Sequence, residues 1–158
     1  MLKFSIITAV FNREDTIGRA IKSVKQQSYN NVEMIVIDGE STDGTCRVIE
    51  SLIAKDDTFI SEPDDGIYDA LNKGIVNVSG DIIGFMHSDD KYMHNKVIDK
   101  VAQLFADESL DIVYGDACFF SSAYPNKIMR NYISGELSKI RLARGFMPAH
   151  PSIFIRRR

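Results

Sequence analysis

The chain has 158 residues, 44% hydrophobic and 26% charged, with a formal net charge of −3. That is the length and mixture of one ordinary soluble globular domain with its own core, and the mild acidity does not suggest a nucleic-acid partner. Two cysteines, Cys46 and Cys118, without a short Cys/His cluster argue against a disulfide framework or zinc site, and no leader peptide or membrane-length apolar run opens the chain, so a cytoplasmic location is expected.

Strand and helix signals alternate along the chain. Residues 3–10 are rich in β-formers and predict a first strand; Ile17, Ala20, Ile21 and Val24 follow at helical spacing. Residues 32–37 are almost wholly apolar, as expected of a parallel strand covered on both faces. Val48, Ile49, Leu52 and Ile53 mark a second helix, residues 58–61 a short strand, and Ile67, Leu71 and Ile75 a third helix. Residues 81–86 form the fourth strand, Val97, Ile98, Val101, Leu104 and Phe105 the clearest amphipathic helix, and residues 111–114 a fifth strand. Beyond 115 the pattern changes: strands are expected over 117–120 and 127–133 around a loop at 121–126, then a basic helix over 136–144 and a last strand over 152–155. The order implies βαβ units with right-handed crossovers, hence an open α/β sheet, mostly parallel and twisted, with helices on both faces.

Charge is unevenly distributed. Residues 1–120 carry 11 basic and 21 acidic side chains, a balance of −10, while residues 121–158 carry 8 and 1, a balance of +7. The acidic part suits binding of an anion through a metal bridge; the basic part suits a phosphate, an anionic membrane surface, or simply a solvated face.

Parallel strands bring their carboxyl ends to one edge, where open α/β sheets bind ligands. Here the first strand ends at residues 8–12, the second at Asp38, the third at 62–66 and the fourth at 87–90. Asp89 and Asp90 set two like charges at the end of an apolar run. Repulsion and desolvation oppose that unless something cationic sits there, so the pair is a candidate divalent-metal site whose shell phosphate oxygens would complete. Asp38 ends its strand where no helix cap needs it, and its carboxylate can accept from a base N–H or a ribose hydroxyl. Ser41, Thr42 or Asp43 can cap the following helix, which gives Asp43 a local role as well as a functional one. No glycine-rich phosphate loop is present, so a metal would carry a diphosphate. His87 stands before the carboxylates as a supporting or merely packed histidine.

The segments Phe4-Ser5-Ile6-Ile7-Thr8 with Asn12, Val36 through Thr45, Ser61 through Gly74, and Gly80 through Asp90 together resemble the family-2 glycosyltransferases, most strongly members that build bacterial surface polysaccharides of the colanic-acid or capsule type. The likeness covers nearly the whole chain in the right order. It implies a GT-A fold spanning residues 1–158, with a nucleotide-sugar half over 1–90 and an acceptor half over 91–158. It also implies inverting transfer of a sugar from a nucleoside diphosphate, assisted by Mg²⁺ or Mn²⁺, to a saccharide or lipid-linked acceptor, with peripheral contact at the inner membrane. Carried over by position, Thr8 and Val10 would line the base pocket, Asn12 would bind the nucleotide sugar, Asp38 would bind the base and Asp43 would support that pocket. Asp65 and Asn72 would face the donor, against a local reading as turn and helix start. Asp89 would face ribose or sugar and Asp90 would hold the metal. Ser88 replaces the first carboxylate of the usual D-x-D pattern, which puts more of the coordination on Asp90. His150 would touch phosphate or acceptor.

The resemblance places the general base on an acidic residue in a segment past Arg158. Glu136, the only carboxylate after Asp116, lies outside that motif. The sequence therefore reads as shortened at its C-terminus, and a nucleotide-sugar-binding module with weak transfer is the rival reading. A nucleotidyltransferase is a further rival, opposed by residues 8–14, which hold no glycine and one arginine.

Overall fold

The structure, a computed structural model, describes residues 1–121 and 124–158. A six-stranded sheet runs in the order β3-β2-β1-β4-β8-β5, from β1 (Phe4–Val10), β2 (Val32–Asp38), β3 (Thr58–Ser61), β4 (Ile82–Phe85), β5 (Ile112–Tyr114) and β8 (Ile153–Arg156). The first four strands are mutually parallel. A separate antiparallel ribbon joins β6 (Ala117–Ser121) to β7 (Tyr124–Tyr132). Among the described residues the helices are α1 (Ile17–Lys25), α2 (Thr45–Glu50), α3 (Ile67–Val76), α4 (Val97–Leu104) and α5 (Lys139–Ala143). A 3₁₀ turn spans His150–Ser152.

Every residue of β1 is buried, because both faces of the central strands are covered. Phe4, Ile6 and Val10 join Met34 and Val36 beneath α1, α2 and α4, while Ile7, Ala9, Ile35 and Ile37 meet Ala70 and Leu71 of α3 on the other face. Alternation along each strand thus sorts side chains to the two layers, each full burial contributing about 1.5–3 kcal/mol. The pairings Val10 with Asp38 and Asp38 with Ser61 align the carboxyl ends of β1, β2 and β3 in one row. Met86 N donates to Ile7 O, so the end of β4 lies beside them.

The opposite edge is tied by a buried charge. Glu33 on β2 accepts from Ser5 Oγ at 2.5 Å and from Ser79 N at 2.9 Å, and pairs with Lys3 Nζ at 2.5 Å. Burial pushes its carboxyl up, but the Lys3 ammonium and the serine hydrogen bonds outweigh that and hold it at about 2.

One feature lies beyond the sequence expectation and two differ from it. The last strand, β8, is antiparallel and inserts between β4 and β5 rather than extending the parallel set. Of the loop expected over 121–126, Ser121 ends β6 and β7 starts at Tyr124, while Ser122 and Ala123 lie outside the described residues. The basic helix is only Lys139–Ala143, because Ser138 is extended and its Oγ accepts from Arg141 N as the cap.

Candidate active site

The ends of the parallel strands fall on one edge, and their loops are laced together. Asn12 adopts φ 49°, a left-handed conformation that asparagine tolerates, and this turns the chain away from the sheet. Its amide donates to Ser41 Oγ at 2.8 Å, and its side-chain oxygen accepts from Thr42 N at 2.9 Å. Gly44 N donates to Glu14 at 2.6 Å. Gly39 lets the β3–α3 loop approach: a Cβ there would sit 2.6 Å from Asp64 Oδ2.

Val10, Phe11, Asn12, Asp64, Ile67 and Ser88 face a cleft of about 420 Å³. Three segments distant in sequence therefore share one opening. On the other side of residues 88–90, Asp90 borders a second cavity of about 450 Å³ whose walls include Tyr92, Val101, Leu104, Phe120 and Phe154. Ser88 lines the first space and Asp90 the second, so this short segment is the partition between them.

The partition is held from α1. Arg19 donates to the Asp89 carbonyl at 2.9 Å, and Asp90 N closes a turn onto His87 O at 3.1 Å. Asp89 is exposed and Asp90 half-buried. Burial, reinforced by the neighbouring Asp89 charge, pushes the Asp90 carboxyl up to about 6. His87 is shifted down by burial and then by His150, whose ring centre lies 5.8 Å away. His87 Nδ1 is buried without a hydrogen-bond partner among the described residues. The last strand and its 3₁₀ turn thus deliver His150 to the carboxylate end of β4.

The candidate residues divide into those that meet at this edge and those that do not. Val10 and Asn12 face the cleft, and His87, Asp89, Asp90 and His150 gather at the end of β4. Thr8 is fully buried, with its hydroxyl unpartnered among the described residues, and does not line the cleft. Asp38 has no exposed surface. Its oxygens accept from Ser41 N at 2.9 Å, Ser41 Oγ at 2.5 Å, Ser61 Oγ at 2.7 Å and Cys46 Sγ at 3.2 Å. Burial raises its carboxyl, and these donors more than offset that, so the net shift is downward. Asp43 has its local role: Oδ1 accepts from Thr45 N at 2.9 Å at the start of α2, and Oδ2 from Glu14 N at 3.3 Å. Asp65 and Asn72 are exposed and stand off the cleft wall.

Phe11, Ile67 and Arg19 escaped the sequence reading. Phe11 is 55% exposed and Ile67 49%, both on the cleft, so two apolar side chains face solvent where a flat ring could lie. The signal for Phe11 was an aromatic residue directly after the last buried strand position. Arg19 lies on a helix face that hydrophobic spacing marks only as polar. Among the described residues no group of three or more His, Cys, Asp or Glu forms a metal cage, and no helix is long and apolar enough to cross a membrane.

Comparisons with known proteins agree with this architecture. An uncharacterized glycosyltransferase of Mycobacterium tuberculosis is 41% identical over 95 residues, covering 60% of this chain; the chain spans 36% of that relative's length. Staphylococcus aureus TarS 1–349 in complex with UDP superposes with a TM-score of 0.72 at 20% identity, over 98% of this chain and 47% of that one. Glucosyl-3-phosphoglycerate synthase from M. tuberculosis, in complex with Mn²⁺, UDP and glucosyl-3-phosphoglycerate, gives 0.66 at 22% identity, over 98% and 57%. These likenesses establish the GT-A fold. Residues 5–158 match Glycosyl transferase family 2, and the chain belongs to that family.

Proposed function

We propose that this chain binds a nucleoside-diphosphate sugar in the 420 Å³ cleft and presents its anomeric carbon, across residues 88–90, to an acceptor in the second cavity. The observation that carries this reading is the partition itself: Ser88 faces one cavity and Asp90 the other. Group transfer needs two substrates held on either side of one reacting atom, and pre-positioning of this kind removes much of the barrier. Residues 1–90 then form the donor half and residues 91–158 the acceptor side. The reaction is inverting, and a saccharide or lipid-linked acceptor of surface-polysaccharide synthesis, met at the inner membrane face, suits the apolar wall of the second cavity and the basic C-terminal part.

Phe11 and Ile67 offer apolar faces for the base, and Asn12 a polar group beside it. Asp38 acts on this pocket through Ser41 and Ser61, whose hydroxyls it orients. Asp89 and Asp90 fit a divalent cation, Mg²⁺ or Mn²⁺. Asp90 is held near another carboxylate in a half-buried place, an arrangement costly without a cation, and two carboxylates leave coordination positions for diphosphate oxygens. When bound, such an ion supplies Lewis-acid stabilisation to the departing diphosphate. The Mn²⁺ and UDP in the structure of the M. tuberculosis synthase support this assignment.

Calorimetric titration with UDP- and GDP-sugars, with and without Mn²⁺, tests it. Metal-dependent binding that Asp90→Ala abolishes is expected; absence of binding to any nucleotide would overturn it. A second reading, a donor-binding module without turnover, is an outcome of the same experiment. Binding without sugar release in the same samples selects it.

A further inference from the structure

A third cavity, of about 500 Å³, lies between α1 and residues 91–95, outside the donor cleft. Its walls include Arg19, Lys22, Gln26, Lys91 and His94, and among the described residues no carboxylate side chain lines it. We propose that it is a phosphate subsite for the acceptor, taking the phosphate ester of a phosphorylated saccharide or phosphate-linked carrier; the acceptor part of this assignment rests on the glycosyl-transfer reading above.

The charges are gathered more tightly than a solvated surface requires. The Arg19 guanidinium and the Lys91 ammonium sit over the same Phe120 ring, 4.9 and 4.8 Å from its centre. They therefore stand within about 10 Å of each other, one screening length at 0.1 M salt. Lys22 is three residues from Arg19 on α1, which places both on one helix face, where like charges repel. Neither Arg19 nor Lys22 forms an ion pair with an acidic side chain among the described residues. Lys22 and Lys25 in the last turn complement the helix dipole, but that does not explain Arg19.

The remaining donors point the same way. His94 Nδ1 accepts from Lys96 N at 3.1 Å, so in the neutral ring the proton resides on Nε2 and the free nitrogen is a donor. Arg19 Nε is buried and unpartnered among the described residues. A pocket walled by cationic side chains and an imidazole N–H matches a tetrahedral oxyanion better than a neutral sugar. Its position suits an acceptor, because Arg19 also donates to the Asp89 carbonyl beside the partition. An anion here sits next to the partition without occupying the donor cleft.

The test is a titration of the isotopically labelled full chain, metal-free and in sodium chloride buffer, with inorganic phosphate and with glycerol 3-phosphate, read by amide shifts. Saturable shifts confined to residues 19–27 and 91–95 are expected for both. Lys22→Glu should weaken both at least about tenfold. Lys55→Glu, the same charge reversal at an exposed lysine on another loop, should leave them unchanged. Shifts spread over the surface, an equal loss in both variants, equal shifts from added chloride, or binding of inorganic phosphate but not of the ester would each overturn the proposal. UDP and GDP binding with Mn²⁺, measured on the same variants, reports on the donor reading separately, so failure of one is distinguishable from failure of the other.

Discussion

Asp90 meets two opposing demands. Its folded carboxyl titrates near 6 against an ordinary 3.8, so between those values the folded state holds a proton that the unfolded state has lost. Stability without metal therefore falls as pH rises through that window, and the penalty is complete above about 6. Asp90→Asn removes it. Allowing for screening at a partly exposed site, we expect about 1 kcal/mol, a rise of about 3 °C in Tm at pH 7.5 without metal, and no difference at pH 3.5. The same variant should lose metal-dependent donor binding at least about a hundredfold. Equal melting at both pH values would show that Asp90 is not held in an unfavourable charged state. Phe11 gives an independent test. It is already more than half exposed, so Phe11→Ala should barely alter Tm, whereas loss of base stacking, worth about 1–3 kcal/mol, should weaken UDP or GDP binding about tenfold or more. Unchanged affinity would remove Phe11 from the base pocket.

The start of α3 depends on backbone freedom rather than on contacts. Gly66, at the helix N-cap, has φ 107°, and a Cβ there would touch nothing within 4 Å. The cost of Gly66→Ala is thus conformational, about 1–3 kcal/mol. Because Ile67 follows it on the cleft wall, the strain should appear twice: as a Tm lower by several degrees and as weaker nucleotide binding. A variant that melts earlier yet binds normally would show that α3 keeps its entry angle without this glycine. Gly39 is constrained differently, by the approach of the Asp64 side chain. The two glycines hold the β2 and β3 loops against one another by different means.

The molecule is polarised along its strands. One edge collects the acidic, half-buried groups of the site; the other is closed by Glu33 with Lys3, Ser5 and Ser79. Glu33 has its folded carboxyl near 2 against an ordinary 4.5, so its contribution is fully present above about 4.5 and disappears as pH falls toward 2. With the side chain only 10% exposed, the shift corresponds to about 3 kcal/mol at neutral pH. Glu33→Gln should therefore lower Tm by several degrees at pH 7, and the gap to the parent should close on acidification to about pH 2. A gap that persists at pH 2 would mean that packing, not charge, carries the contribution. Together, Glu33→Gln and Asp90→Asn should change stability with opposite signs at neutral pH, since Lys3 and the serines compensate one carboxylate while burial and Asp89 oppose the charge of the other.

Hydrophobic spacing was enough to place β1 to β5 and α1 to α4 in order, because period 2 and period 3.6 are local properties set by which face of each segment is buried. From that order followed the parallel core and the shared edge where Val10, Asn12, Ser88 and Asp90 stand. Local spacing carries no information about pairing between remote segments. The insertion of β8 between β4 and β5, and with it the approach of His150 to His87, comes from closure of the chain over many residues. The same limit hid the burial of Asp38 under Ser41, Cys46 and Ser61, the place of Phe11 on the cleft and the gathering of Arg19 with Lys91 around Phe120. Residue types and their order determined the fold class and the carboxylate pair at the strand end; which side chains face a ligand, and which are used up by their neighbours, was decided only when distant segments packed.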